Sequence, residues 1–246
     1  MVIPVSMYYL FTPMLVVLVG ILAERAGQPK LRDVAAVVVS ALGVAFTWTL
    51  YSALQAAPEE ILVYFLGGAP PLGASFEIDM MGIFMAFSAT ILGFFATVYS
   101  YNYMEHDTRL TEYYTLLSAL VVGMVGVAFA GDFFTLFIFW EMMGIASYAL
   151  VSFRNDLWGP IEAGFKYMVM GSVGSTVLFF GMALVYGITG TLNFAQISTV
   201  IRGQPINLWY YIIFALFVVG FGVKSAIVPM HTWLPDAHPE APSPIS

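Results

Sequence analysis

The chain has 246 residues, 60% of them hydrophobic and only 9% charged, with a mean hydropathy of +0.87. A soluble domain of this length could not present that composition to water, so lipid is the expected solvent. The formal net charge of −7 comes mainly from acidic residues in connecting segments, and no basic patch points to a nucleic-acid partner. Cysteine is absent, which excludes thiolate ligation of an iron–sulfur cluster and disulfide formation.

A bilayer core takes roughly 20 apolar residues per helix, and seven stretches meet that need. They run from about Val5 to Glu24, Leu31 to Leu54, Met80 to Tyr103, Tyr113 to Ala130, Phe133 to Phe153, Ala163 to Ile188, and Leu208 to Val228. The expected fold is all-α, a polytopic bundle of about seven transmembrane helices. The first stretch has no basic region before it and no small-residue cleavage site after it, so a retained helix is expected. Between the second and third stretches, Leu66-Gly67-Gly68-Ala69-Pro70-Pro71-Leu72-Gly73 predicts a surface turn or hairpin.

Arg25, Lys30, Arg32, Arg109 and Arg154 fall in loops on one side of such a bundle, and only Arg202 falls on the other. The positive-inside rule then places the amino terminus outside and the carboxy-terminal segment in the cytoplasm. Asn193 to Arg202 carries Phe194, Ile197, Val200 and Ile201 at helical spacing, the pattern of a short amphipathic helix on the outer surface. Gly171, Gly174 and Gly181 mark a helix face that lets neighbours approach closely.

Three charges fall inside the apolar stretches, where each costs about 2.5–3.5 kcal/mol on insertion scales unless it faces a cavity or a partner. Glu141 stands about eight residues into the fifth stretch, roughly 12 Å from its outer end. At that depth it is a carboxylate able to exchange a proton, or else one that pins helices by a buried salt bridge. Lys224 lies in Gly220-Phe221-Gly222-Val223-Lys224, five residues before Pro229. The glycines and the proline predict a broken seventh helix, a construction that sets free backbone groups beside an ion path in transporters. The alternative is a lysine that snorkels to the inner surface. Lys166, six residues after Pro160, snorkels more easily. Asp79, Asp132 and Glu112 sit at helix ends, where capping is the ordinary role.

After the seventh stretch, His231-Thr232-Trp233-Leu234-Pro235-Asp236-Ala237-His238-Pro239-Glu240 gathers two imidazoles and two carboxylates. Histidine as a residue type titrates near neutrality, and His231 and His238 are placed to pass protons between cytoplasmic water and Lys224. Their spacing matches no metal-ligand pattern, and an interfacial loop rich in Trp and His is the plainer alternative.

Phe139-Trp140-Glu141, Gly222-Val223-Lys224 and the closing run His231 to Ser246 together resemble the antiporter-like subunits of respiratory complex I. The same signature occurs in Mrp-type sodium/proton antiporters and in membrane-bound hydrogenases and their sulfur-reducing relatives. The resemblance extends to the Gly-Pro connection and to Lys166-Tyr167. It implies a proton-translocating module in which Glu141 pairs with Lys224, with Lys166, His231 and His238 as further members of a hydrated axis. It also implies residues 1–104 as three amino-terminal helices with an outer loop, and 105–246 as the first antiporter-like bundle, helices four to seven.

Family members carry two inverted five-helix bundles, whereas these 246 residues end before an eighth helix. The expectation is a half-module whose remainder comes from another polypeptide or a split reading frame, or else a vestigial half that acts as a membrane spacer. The expected partners are other membrane subunits of a complex I-like, Mrp-like or hydrogenase-like assembly, the lipid bilayer, and protons or sodium ions. No cofactor is expected in this chain, and iron–sulfur or other redox centres are expected in partner subunits.

Overall fold

A computed structural model describes residues 9–56, 61–66 and 73–246. Its helices are α1 (Thr12–Arg25), α2 (Pro29–Ala56), α3 (Met80–Tyr103), α4 (Leu110–Ala128), α5 (Phe133–Val151), α6 (Trp158–Thr189), α7 (Phe194–Ile201), α8 (Leu208–Lys224) and α9 (Leu234–Glu240). Five of them, α2 to α6, are long and apolar enough to cross a membrane, and α8 is a shorter apolar helix. The chain is a multi-pass membrane protein. The first expected stretch is seen as α1 from Thr12, its earlier residues 5–8 lying outside the described residues.

Strands β1 (Leu62–Leu66) and β2 (Ala74–Ile78) pair antiparallel between α2 and α3, with Leu62 opposite Ile78 and Leu66 opposite Ala74. The expected hairpin is therefore present, although its Gly-Pro turn, residues 67–72, lies outside the described residues. The amphipathic segment forms α7, capped by Asn193, whose side chain accepts from the Gln196 amide.

Helix α4 is the centre of the bundle. Of its most apolar stretch 56% is buried, against 28–39% in the other four long helices, and it packs on α1, α3 and α5. Small residues set these contacts: a β-carbon at Gly93 would stand 2.5 Å from Val121, and one at Gly123 would stand 2.8 Å from Met143. Helix α6 packs against α5 on one side and α8 on the other, where Gly174 admits Val223 and Gly220 admits Leu178.

Two boundaries differ from expectation for clear reasons. Helix α6 begins at Trp158 rather than near Ala163, because Pro160 occupies the first turn, where its missing amide hydrogen is not needed. Lys166 consequently lies two turns inside the helix. Helix α8 ends at Lys224, four residues short of Val228.

Candidate functional site

The end of α8 is built by its backbone. The Ala226 amide donates to the Val223 carbonyl at 3.2 Å and the Ile227 amide to the Gly222 carbonyl at 2.9 Å, with Ala226 left-handed at φ 52°. This pair of bonds is a Schellman closure. The Trp233 indole adds a 2.8 Å hydrogen bond to the Val223 carbonyl, folding the downstream segment back beneath the helix end. A cis Val228–Pro229 bond lies in the intervening turn.

The Lys224 side chain runs from this end against α5. Its ammonium lies 5.4 Å from the Trp140 ring centroid, 5.1 Å from that of Tyr148, and 3.5 Å from the Tyr148 hydroxyl. It enters because residue 144 is glycine: a β-carbon there would stand 2.6 Å from Nζ. Ring faces attract a cation electrostatically, so a desolvated ammonium is retained without a carboxylate in contact.

Glu141 lies one turn before Gly144 on the same helix. Its Oε1 is buried and has no hydrogen-bond partner among the described residues. The expected Glu141–Lys224 contact is not closed: among the described residues, the ion pairs within 4.0 Å involve other side chains. Glu141, Ile145, Tyr148, Ser152 and Asn155 line a groove of about 740 Å³ between α5 and α6, whose far wall includes Gly164, Phe165 and Ser172.

The remaining expected site residues are placed apart. Lys166 is half exposed and forms ion pairs with Glu162 at 2.8 Å and Asp236 at 2.9 Å. This ties α6 to α9. His231 is partly buried, and its Nδ1 has no hydrogen-bond partner among the described residues. His238 is exposed and lines a cavity of about 180 Å³ with Ser147, Tyr167, Trp233 and Ser246. Tyr148 and Gly144 escaped the sequence reading. Their signal is spacing: Gly144 lies three and Tyr148 seven residues after Glu141, and thus on its helix face.

At the hairpin end, Asp132 caps α5 and ties three connections together. Its Oδ1 accepts from the Thr135 amide at 2.7 Å, and its Oδ2 accepts from the Ser75 amide at 2.6 Å and from the Ser75 and Thr135 hydroxyls at 2.7 Å each. The Asn193 side-chain amide reaches the Ser75 hydroxyl and the Gly131 carbonyl, both at 3.3 Å. Glu77 on β2 lies against Gly131, and burial together with the nearby Asp132 and Asp79 charges raises its carboxyl above the usual range, partly offset by Asn193. Asp79 caps α3 by accepting from the Gly82 amide at 2.6 Å.

Comparison with known proteins gives this arrangement its lineage. The family described as "NADH:quinone oxidoreductase/Mrp antiporter, TM" matches residues 130–246, and "NADH-Ubiquinone oxidoreductase (complex I), chain 5 N-terminus" matches residues 68–114. NADH-quinone oxidoreductase subunit N of Alkalilimnicola ehrlichii is 31% identical over 206 residues, 83% of this chain and 42% of that protein. The subunit N of Deinococcus radiodurans is 33% identical over 243 residues, 95% of this chain and 48% of that protein. A chain of the archaeal membrane-bound sulfane sulfur reductase, a respiratory membrane complex, superposes with a TM-score of 0.88 at 26% identity, covering 98% of this chain and 49% of that one. The chain thus spans under half the length of these relatives. By sequence and by fold, it belongs to the antiporter-like membrane subunit family of complex I, Mrp antiporters and related respiratory membrane complexes.

Proposed function

We propose that the chain contributes to the translocation of protons or sodium ions across a membrane, as a subunit of a respiratory or antiporter complex. The observation that carries this reading is the Lys224 ammonium, held against Gly144 by two ring faces and a phenol, one helical turn from Glu141, whose buried Oε1 has no hydrogen-bond partner among the described residues. Charges in lipid are costly, and a pair whose contact is left open has two arrangements of similar composition. Closing and opening it changes how firmly Lys224 holds its proton. A charge or conformational change in a neighbouring subunit that reaches Glu141 would drive that exchange.

In this reading His231, His238 and Lys166 pass protons between Lys224 and the cytoplasm. The 180 Å³ cavity beside His238 supports that assignment, as does the unpartnered Nδ1 of His231. Residues 1–104 form the amino-terminal helices and 105–246 the first antiporter-like bundle. The amino terminus faces outward, with the hairpin, and the end carrying Arg25, Arg109 and Arg154 faces the cytoplasm. Redox centres belong to partner subunits, and this chain contributes no redox chemistry.

The test is ion transport by the assembled complex in sealed vesicles. Glu141→Gln and Lys224→Ala should each reduce transport to background while the complex assembles normally. Transport at the wild-type rate in both variants would overturn the proposal.

A further inference from the structure

We propose that Tyr148 is the positioning residue for Lys224, its hydroxyl holding the ammonium at the level of Gly144, one turn from Glu141; this rests on the ion-translocation reading above. The phenol stands 3.5 Å from Nζ, at the outer limit of hydrogen-bonding distance, and among the described residues it makes no other side-chain hydrogen bond. A contact of that length retains a flexible side chain without locking it.

The hydroxyl occupies a space prepared for it by two helices. A β-carbon on Gly144 would lie 3.1 Å from it, and one on Gly171 of α6 would overlap it outright. Those same glycines leave the phenol and the ammonium as neighbours in one gap.

The ring is fixed through a closed circuit of contacts. Tyr148 meets Tyr167 edge-on at 4.6 Å and 84°, Tyr167 stacks on Trp233 at 4.0 Å and 9°, and Trp233 donates to the carbonyl of Val223, the residue before Lys224. The lysine's own backbone therefore fixes where the phenol stands. Within that frame the lysine side chain is the moving part. Tyr148 also lines the α5–α6 groove together with Glu141.

A purely structural tyrosine would depend on its ring alone, since the ring makes the aromatic contacts and is buried. Tyr148→Phe separates the roles, because it keeps the ring and removes only the hydroxyl. In the assembled complex in vesicles, this variant should keep wild-type assembly and thermal midpoint while transport falls about tenfold, the scale of one hydrogen bond to a charged group. A second readout follows the contact itself. With ring-labelled tyrosine, the infrared C–O band that disappears in Tyr148→Phe should shift in Lys224→Ala.

If Lys224→Ala abolishes transport while Tyr148→Phe transports at the wild-type rate, the positioning role is overturned and the Glu141–Lys224 reading stands. A band that does not move in Lys224→Ala overturns the positioning role as well. If Lys224→Ala itself transports normally, the translocation reading fails first and this inference falls with it.

Discussion

The ammonium of Lys224 fills the space that a side chain on Gly144 would need, lying 2.6 Å from the position of its β-carbon. Gly144→Ala should therefore displace the ammonium. The displaced atom is the far end of a flexible chain, and alanine favours helix over glycine by about 1 kcal/mol, so stability should not fall. The expected outcome is a thermal midpoint equal to or above wild type with transport reduced about tenfold or more, the cost of a small misplacement at a reacting group. Wild-type transport in this variant would show that the ammonium does not work from that position.

Gly27 and Ala226 hold the same place in two copies of one motif. The end of α1 closes with the Gly27 amide on the Glu24 carbonyl and the Gln28 amide on the Ala23 carbonyl, with Gly27 at φ 68°. The end of α8 closes the same way around Ala226 at φ 52°. A β-carbon in the left-handed region costs roughly 1 kcal/mol that glycine avoids. Ala226→Gly should raise the thermal midpoint measured in detergent, and an unchanged or lower midpoint would mean that the turn is not strained.

Asp132 receives four hydrogen bonds in a buried position. Asp132→Ala leaves two backbone amides and two hydroxyls without that acceptor. The expected loss is about 2–4 kcal/mol, read from denaturation in detergent, with Asp132→Asn intermediate.

The Glu77 carboxyl titrates above the usual range in the folded chain because burial and the neighbouring Asp132 and Asp79 disfavour its charge. A raised acid pKa means that the folded state binds the proton more tightly than the unfolded state. This contribution to stability is complete below the ordinary glutamate range and is lost as pH rises through the folded value. Stability should accordingly decline across that window in wild type, and Glu77→Gln should remove that component. A Glu77→Gln profile identical to wild type would refute this.

Much of the fold was legible because apolar length and punctuation are local. Pro229 and the glycines before Lys224 marked the helix end, and the spacing of Phe194 to Ile201 marked α7. What stayed hidden depends on helix crossings. Asp132 read as an ordinary cap, since Ser75, which binds it, is 57 residues away. Tyr148 escaped notice, because its approach to Lys224 exists only where α5, α6 and α8 meet across two glycines. Lys166 lies two turns into α6 because that helix begins around Pro160 rather than after it.

Helix α8 has 17 residues, a length of about 25 Å, and a bilayer core is about 30 Å thick. The turn after Lys224 therefore begins at hydrocarbon depth, with Ile227 53% and Val228 74% exposed. Irregular backbone at that depth is stable only under a covering of protein or water. A protein segment bound over this turn at free concentration c would stabilise it by RT ln(1 + c/Kd), which would couple the stability of the helix end to assembly.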